Sequence, residues 1–459
     1  MTADYDVVVI GGNDVARYLA QQSVQTGART ALVVDDEEGD RADRIARGCH
    51  QVLRETAHRV QQATQWGDAV TMPSVSAIRD WGEQSARRRE QVRSLSGLAI
   101  QGVDVIESVA EFRRRPQIAV VAGRTLRSHR YVIATGTEPH CSLWPGLDTV
   151  SYDTLRSLWA TPTIDANQPH RWVLLGTDAI AVELAQTLHW CNQSVTLMAP
   201  GGVLPDQEAD LVKLLVAHLE AEGVQIQTAT VDDISPGKSD RSIQLQSAGQ
   251  TIHSDRVVVL TEQPRVRSLN IDALGLAWDL TGIEVSFGSQ TSQPTVFAIN
   301  GSTDSPEAYA NADRWLSQQF GLGDRSVLTP PIIQVQTFPP LARVGDTEMR
   351  AYQHFGAAVE VWASDQLGHR DRILGNHTGL TKLLTRPNGQ VIGAHQLGYH
   401  VDDLQTVAIA LHHRRSLPTT LSPTTPLGGL MRSVWQQQRR SPWHWLRRWW
   451  VNGCDRLLP

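Results

Sequence analysis

Apolar and polar positions along the chain form blocks that predict two copies of one unit. Tyr5–Ile10 is an apolar run, followed by a turn at Gly11–Ala16 and a helix-like stretch to Gly27. The second copy runs from Trp172–Leu175 through the turn Gly176–Ala181 to a helix over Val182–Trp190. A buried strand feeding a glycine turn and then a helix is the β–α pattern of nucleotide-binding folds. Around the first copy, Asp4–Val34 reads as strand, turn, helix and strand, and Asp35–Asp40 as a polar, acidic connection. Ala42–Trp66 and Ile78–Leu95 follow with helical spacing; Val103–Val109, Ile118–Val121 and Tyr131–Ala134 read as strands. Pro139–Leu147 reads as a crossing loop, and Arg171–Leu260 as a self-contained β/α unit with its own helix at Ala209–Glu222. Glu284–Ile299 should return the chain to the first unit. After the break at Thr329 and Pro330–Pro331, strands are predicted at Ile332–Gln336, Ala357–Trp362, Leu380–Thr385 and Val391–Leu397, with a helix at Asp402–Arg414.

In a G-x-G-x-x-G turn the first glycine makes the tight bend. The second lets backbone approach a pyrophosphate, and the third lets the helix pack closely on the strand. Gly11, with Gly12 beside it, Asn13 and Ala16 fill these places in the first turn. Asn can take the left-handed conformation, but its side chain projects toward the phosphate position. Asp35 and Asp36 come just after the next strand, where a carboxylate accepts hydrogen bonds from a ribose or merely opens a solvated loop. The second turn has Gly176, Asp178 and Ala181 in the same places. A carboxylate ~4 Å from a phosphate charge costs about 4 kcal/mol at an effective dielectric of 20, roughly a thousandfold in affinity. Alternatively Asp178 caps the helix and takes the free amides itself. The strand after this helix ends Met198-Ala199-Pro200, with no acidic residue for a ribose.

Length and composition add limits. The chain of 459 residues has room for about three domains of ~150 residues. A net charge of −6 argues against nucleic acid as a partner. No apolar run approaches the ~20 residues of a membrane span, and Tyr5–Ile10 reads as a first strand rather than a targeting signal, so a cytoplasmic protein is expected. Cys49, Cys141, Cys191 and Cys454 are the four cysteines, and none has disulphide-motif or zinc spacing with another.

Val132-Ile133-Ala134-Thr135-Gly136, with Pro139 beyond, is a more specific string. Together with both turns it resembles the pyridine nucleotide–disulphide oxidoreductases of the dihydrolipoamide dehydrogenase, mercuric reductase and glutathione reductase branch. Val182-Glu183-Leu184-Ala185 is similar to the family's V-E-L-A, and Val203-Leu204-Pro205 with Glu208 to its L-L-P…E segment. Thr337, Pro339, Ala342, Val344 and Gly345, then His377, Gly379, Lys382 and Ile392-Gly393-Ala394 with Gly398, resemble its C-terminal domain. The resemblance implies an α/β fold of two Rossmann-like nucleotide-binding domains plus an α+β C-terminal dimerisation domain. FAD would be bound across 1–150 and 266–327 and NAD(P) at 151–265, with a homodimer formed through 328–430. Implied cofactor-binding residues are Gly11, Gly12, Asn13, Ala16, Asp35, Thr135, Gly136, Gly176, Ala181 and Glu183.

Position by position, the residues of the family's chemistry are replaced. Gly48-Cys49 matches the second cysteine of its C-x4-C pair, but Arg44 stands at the first. Cys49 is thus a lone relic thiol, reactive only if Arg44 and Arg47 lower its pKa. Leu53 replaces the lysine that pairs with the glutamate of V-E-L-A, leaving Glu183 without that partner. Pro423-Thr424-Thr425-Pro426-Leu427 resembles the family's P-H-P-T-L, with Thr424 at the histidine and Gly429 at the glutamate of the acid–base pair. Gly301 stands at the ribityl aspartate, and Leu260-Thr261-Glu262 at a second A-T-G string. The losses favour a binding or scaffold subunit. The alternative is a flavin-dependent NAD(P)H oxidoreductase passing electrons to a non-disulphide acceptor.

Residues 431–459 form a basic, aromatic extension. Trp435, Trp443, Trp445, Trp449 and Trp450 lie there beside Arg432, Arg439, Arg440, Arg447, Arg448 and Arg456. Such a segment suits a membrane surface, a protein partner, or docking on its own domain.

Overall fold

The computed structural model describes residues 3–67, 70–114, 118–120, 124–160, 169–238, 242–286, 288–301, 305–321, 329–365, 373, 378–413 and 425–439. The chain divides into two compact units: Met1–Val203 with Leu219–Arg325, and Leu204–His218 with Ser326–Pro459.

The first unit holds two five-stranded parallel sheets. In the first, the order is Val296–Ala298, Ser128–Ile133, β1 (Tyr5–Ile10), β2 (Thr30–Val34) and Asp104–Glu107. Val7–Ile10 are fully buried, because a parallel strand is covered on both faces and needs a continuous apolar run. Val8, Ile10, Ala31 and Val33 pack to one side; Val7, Val9, Leu32 and Val34 pack to the other, against Leu19 and Ala20 of α1 (Asp14–Gln25). Ile10 pairs with Val33 and with Ile133, so the carboxyl ends of three strands reach one edge together. That register brings Gly11, Asp35 and Ala134–Gly136 to the same place. In the second sheet the order is Gln225–Gln227, Ser194–Met198, Arg171–Leu175, Arg256–Val259 and Asp153–Thr154, again all parallel.

The acidic segment Asp35–Asp40 is not a connection, as the sequence suggests. Asp36 caps a helix, α2 (Glu37–Gln65), by accepting the Gly39 amide at 2.8 Å. Glu37, Glu38 and Asp40 fill its first turn, where negative charge suits the helix dipole. The helix therefore starts five residues before the periodic stretch that predicts it. The helix α3 (Val75–Val92), capped by Ser74, packs against α2. A Cβ built on Gly82 would overlap Cys49 Sγ, so the glycine permits this close crossing. The pattern does not predict the helix Pro306–Phe320, although Ser305 caps it, Pro306 opens it and left-handed Gly321 ends it.

The second unit is built on an antiparallel sheet in the order Ile333–Val335, Leu341–Gly345, Val391–Leu397, Leu380–Thr385 and Glu360–Ser364. Helices Leu404–His412 and Pro426–Arg439 share its core with Ala342, Leu383 and Ala394. Met431 and Val434 are buried there, so this fold continues past residue 430, where the extension was expected to begin. Residues 440–459, the Trp435 side chain, Thr424 and His377 lie outside the described residues. The whole is the expected α/β architecture with an α+β C-terminal part. Among the described residues, no helix is long and apolar enough to cross a membrane.

Candidate functional site

The first turn is tight at Gly11, whose φ is +135° and whose Cβ would collide with the Ala134 carbonyl. Asn13 is not left-handed; it is extended, with φ −71° and ψ 172°, and acts as the cap of α1. Its Oδ1 accepts the Ala16 amide at 2.9 Å, and its Nδ2 donates to the Ala134 carbonyl at 2.7 Å. The side chain thus ties the helix start to the neighbouring strand and uses an amide that a phosphate would otherwise meet.

Over Gly12 lies the Asp40 carboxylate; a Cβ on Gly12 would overlap Asp40 Oδ2 and Val34 Cγ1. Arg265 Nη2 donates to Asp40 Oδ1 at 3.0 Å and to Asp35 Oδ1 at 3.4 Å. Asp35 therefore meets a guanidinium, and Asp36 a helix end. Arg17 donates through Nε to the Gly12 carbonyl at 2.7 Å and pairs with Glu37. Arg44 pairs with Glu37 at 3.2 Å and lies 3.8 Å from Asp14. Burial pushes the Asp40 carboxyl up to about 6, against the opposing pull of Arg265. Thr135 is buried beside this cluster, and the carbonyl of left-handed Gly136 accepts the Arg265 amide at 3.0 Å.

In the second turn Asp178 caps the helix Ala179–Trp190, accepting the Ala181 amide at 3.1 Å. The capping alternative is the one that the structure shows. Burial first, then the Glu262 carboxylate, push Asp178 up to about 7. Gly176 sits where a Cβ would press on Ala181 and Leu260 at 3.1 Å. Glu262 accepts from Thr137 Oγ1 at 2.5 Å and pairs with Arg47 at 3.1 Å. Arg47, Thr137 and Glu262, with Asp43, Arg156 and Thr261, line a small cleft whose remaining wall is apolar.

One further expectation is corrected, and the alternative of a reactive Cys49 is closed. Glu183 is buried but paired: His50 Nε2 lies 3.1 Å and Arg54 Nη1 3.3 Å from its Oε2. Both partners come from α2, on either side of Leu53. Arg44 and Arg47 do not activate Cys49, because each is engaged elsewhere. The Cys49 thiol is fully buried against α3, and burial, followed by Glu83, raises it to about 11. In the second unit, Glu208, Asp210 and Glu348 could together surround an ion, but the Lys382 ammonium already pairs with all three.

The sequence reading missed Arg17, Asp40, His50, Arg54 and Arg265. Asp40 and Arg44 stand four apart near the start of α2, a spacing that points to one helix face. For Arg265, 225 residues from Asp40, no local signal exists.

A pyrophosphate at a glycine turn needs free amides and room for close approach. At the first turn Asn13 takes the Ala16 amide and Asp40 takes the room. Five carboxylates (Asp14, Asp35, Asp36, Glu37, Asp40) outnumber the three guanidiniums of Arg17, Arg44 and Arg265. In this conformation the residues present do not fit a dinucleotide's pyrophosphate. At the second turn Asp178 and Glu262 oppose an anion in the same way.

Comparison with known proteins agrees with the fold. Residues 5–314 match the family described as pyridine nucleotide-disulphide oxidoreductase. Mercuric reductase of Shigella flexneri is 26% identical over 437 residues, covering 90% of this chain and 76% of its own. Dihydrolipoyl dehydrogenase of Bacillus subtilis is 23% identical over 436 residues, covering 88% and 90%. The HOCl-induced flavoprotein disulfide reductase RclA from Escherichia coli superposes with a TM-score of 0.73 at 20% identity, covering 93% of this chain and 99% of its own. FAD and NAD(P) are the cofactors that such flavoproteins and pyridine-nucleotide enzymes use. Through its fold and the match across residues 5–314, this chain belongs to the pyridine nucleotide–disulphide oxidoreductase family.

Proposed function

We propose that this chain keeps the family's frame without its dithiol chemistry and serves as a binding or scaffold subunit. The observation that carries this reading is the pair Arg44 and Cys49. At the position of one cysteine stands a buried guanidinium tied to Glu37; at the other, a thiol packed against Gly82. Disulphide reduction through an internal dithiol needs two sulfurs within reach of each other, and low-pKa exposure of the attacking one. Cys49 meets neither condition, because Arg44 stands at the partner position and the thiol is buried and raised to about 11. In this reading residues 1–150 with 266–327 are the FAD-type domain, 151–265 the NAD(P)-type domain, and 328–430 a homodimer interface. The Trp- and Arg-rich tail would engage a protein partner or a membrane surface of a cytoplasmic protein.

The test is turnover of oxidised lipoamide, glutathione disulphide and a chromogenic disulphide with NADH or NADPH. No turnover is expected, and reduction of the purified chain should expose no new pair of thiols. Sustained disulphide turnover that disappears in Cys49→Ser would overturn the reading.

The charged cleft at Arg47, Thr137, Arg156 and Glu262 favours a second reading. It lies near the carboxyl ends of parallel strands, where α/β sheets bind ligands. There the chain would pass electrons from NAD(P)H through flavin to a non-disulphide acceptor. Bleaching of a flavin band by NADH, without disulphide turnover, would support this reading over the first.

A further inference from the structure

We infer that the first nucleotide turn is self-filled. The Asp40 carboxylate, held by Arg265, takes the place over Gly12 that a dinucleotide's pyrophosphate needs, so flavin enters only by displacing it and binds as an exchangeable ligand. This inference goes beyond the loss of the dithiol and does not depend on it.

Gly12 provides the first ground. Gly12 lies between the first two glycine places of the turn, next to the one where backbone approaches a pyrophosphate. The space over it is taken by Asp40 Oδ2, which a Cβ on Gly12 would overlap. The glycine thus admits one of the chain's own carboxylates.

The pairing provides the second. Asp40 is only 2% exposed, and a buried carboxylate is costly unless it is paired. Arg265 supplies the partner at 3.0 Å, from 225 residues along the chain. The same guanidinium reaches Asp35, the residue expected to meet a ribose. One arginine therefore pairs with the acidic groups at both positions, through Oδ1 of each, while Asp40 Oδ2 over Gly12 makes no hydrogen bond.

Other donors around the turn are engaged, although Arg44 Nε and Nη1 and Arg265 Nε make no hydrogen bond. The Ala16 amide is capped by Asn13. Arg17 is held by the Gly12 carbonyl and Glu37, and Arg44 by Glu37. An incoming pyrophosphate would face the Asp40 charge and find Arg265 already engaged. Removing the Asp40 carboxylate changes both conditions, since it vacates the space and releases a cation toward it.

The experiment titrates the full chain and Asp40→Ala with FAD and, separately, with ADP, which carries the pyrophosphate but no flavin ring. Flavin retained after desalting and quenching of flavin fluorescence are the readouts, with circular dichroism to check the fold. Wild-type protein should lose its flavin on desalting. Asp40→Ala should tighten FAD and ADP by about a hundredfold to a thousandfold, the effect of removing one charge at ~4 Å. Wild-type protein that keeps stoichiometric flavin through desalting would overturn the inference. So would a folded Asp40→Ala variant whose affinity for both ligands is unchanged. If that variant does not fold, Asp40→Asn keeps the shape without the charge. It should tighten both ligands at least about tenfold, and unchanged binding would count against the inference. Retained flavin without disulphide turnover would defeat this inference and leave the proposed function standing.

Discussion

His50 Nε2 and Glu183 Oε2 lie 3.1 Å apart, joining α2 to the helix after the second nucleotide turn. Arg54 reaches the same oxygen. The glutamate that resembles the family's flavin-side residue therefore works here as an anchor between two helices. Glu183→Ala would leave the buried Arg54 without this carboxylate, and removing one partner of a buried pair costs about 3–5 kcal/mol. The thermal midpoint should fall by several degrees, and by less in Glu183→Gln, which retains a hydrogen-bond acceptor. Equal midpoints for Glu183→Ala and wild type would contradict the anchoring role.

The Cys49 thiol should resist alkylation in the folded chain. It is fully buried and raised to about 11, so little thiolate exists at neutral pH. Mass spectrometry after iodoacetamide should find Cys141, which is part-exposed, modified well before Cys49 or Cys191. Rapid labelling of Cys49 would show that α3 does not cover it.

Gly82→Ala should destabilise by about 1–3 kcal/mol, the usual cost of overpacking. The new Cβ would overlap Cys49 Sγ and lie 2.8 Å from the Cys49 backbone nitrogen. Cys49→Ala removes only the first clash, so the double variant should recover only part of the loss. A double-mutant cycle on unfolding midpoints measures the coupling.

Stability should depend on pH through Asp178 and Asp40, which are raised to about 7 and about 6, chiefly by burial. In the unfolded chain both titrate near 3.9. The folded chain thus holds these protons to higher pH. Their contribution to stability is full below about pH 4 and is lost as pH rises through 6 and 7. His58, lowered to about 4 mainly by burial, works in the opposite sense over the same window. Asp178→Asn keeps a capping side chain and removes one of these titrations, while His58 is common to both proteins. Near pH 8 the variant should exceed wild type by on the order of 1–2 kcal/mol, with the gain vanishing near pH 3. A difference that does not change with pH would place the raised proton affinity elsewhere.

Lys382→Met should destabilise the second unit by about 3–5 kcal/mol, because three carboxylates would lose the ammonium they share. Lys382→Arg should recover part of this. Limited proteolysis of residues 326–439 is a suitable readout.

Much of the frame was legible along the chain because it follows local rules. Leu380–Thr385 and Val391–Leu397 coincide with their predicted strands, since short stretches with β-branched threonine, valine and isoleucine suit a pleated sheet. Asp178 as a cap was also legible, because a short polar side chain before a helix has few other local uses. The helical start at Glu37 was not, because an acidic run reads equally well as a solvated loop.

By itself, then, the sequence determined the paired strand–turn–helix units, strands of the third part and the absence of a C-x4-C pair. Each follows from periodicity or from residue identity at short spacing. Only the tertiary structure decided what fills the first turn and what partners Glu183. Arg265 reaches Asp40 from 225 residues away, and α2 brings His50 and Arg54 to a helix more than a hundred residues downstream. Charge pairing acts through space over a few ångströms, whereas sequence patterns report only neighbours along the chain. Asn13 and Asp178 were visible as polar side chains where phosphate should approach. That both fold back onto their own helices, and that the Asp40 carboxylate lies over Gly12, is decided by how the strands and helices pack.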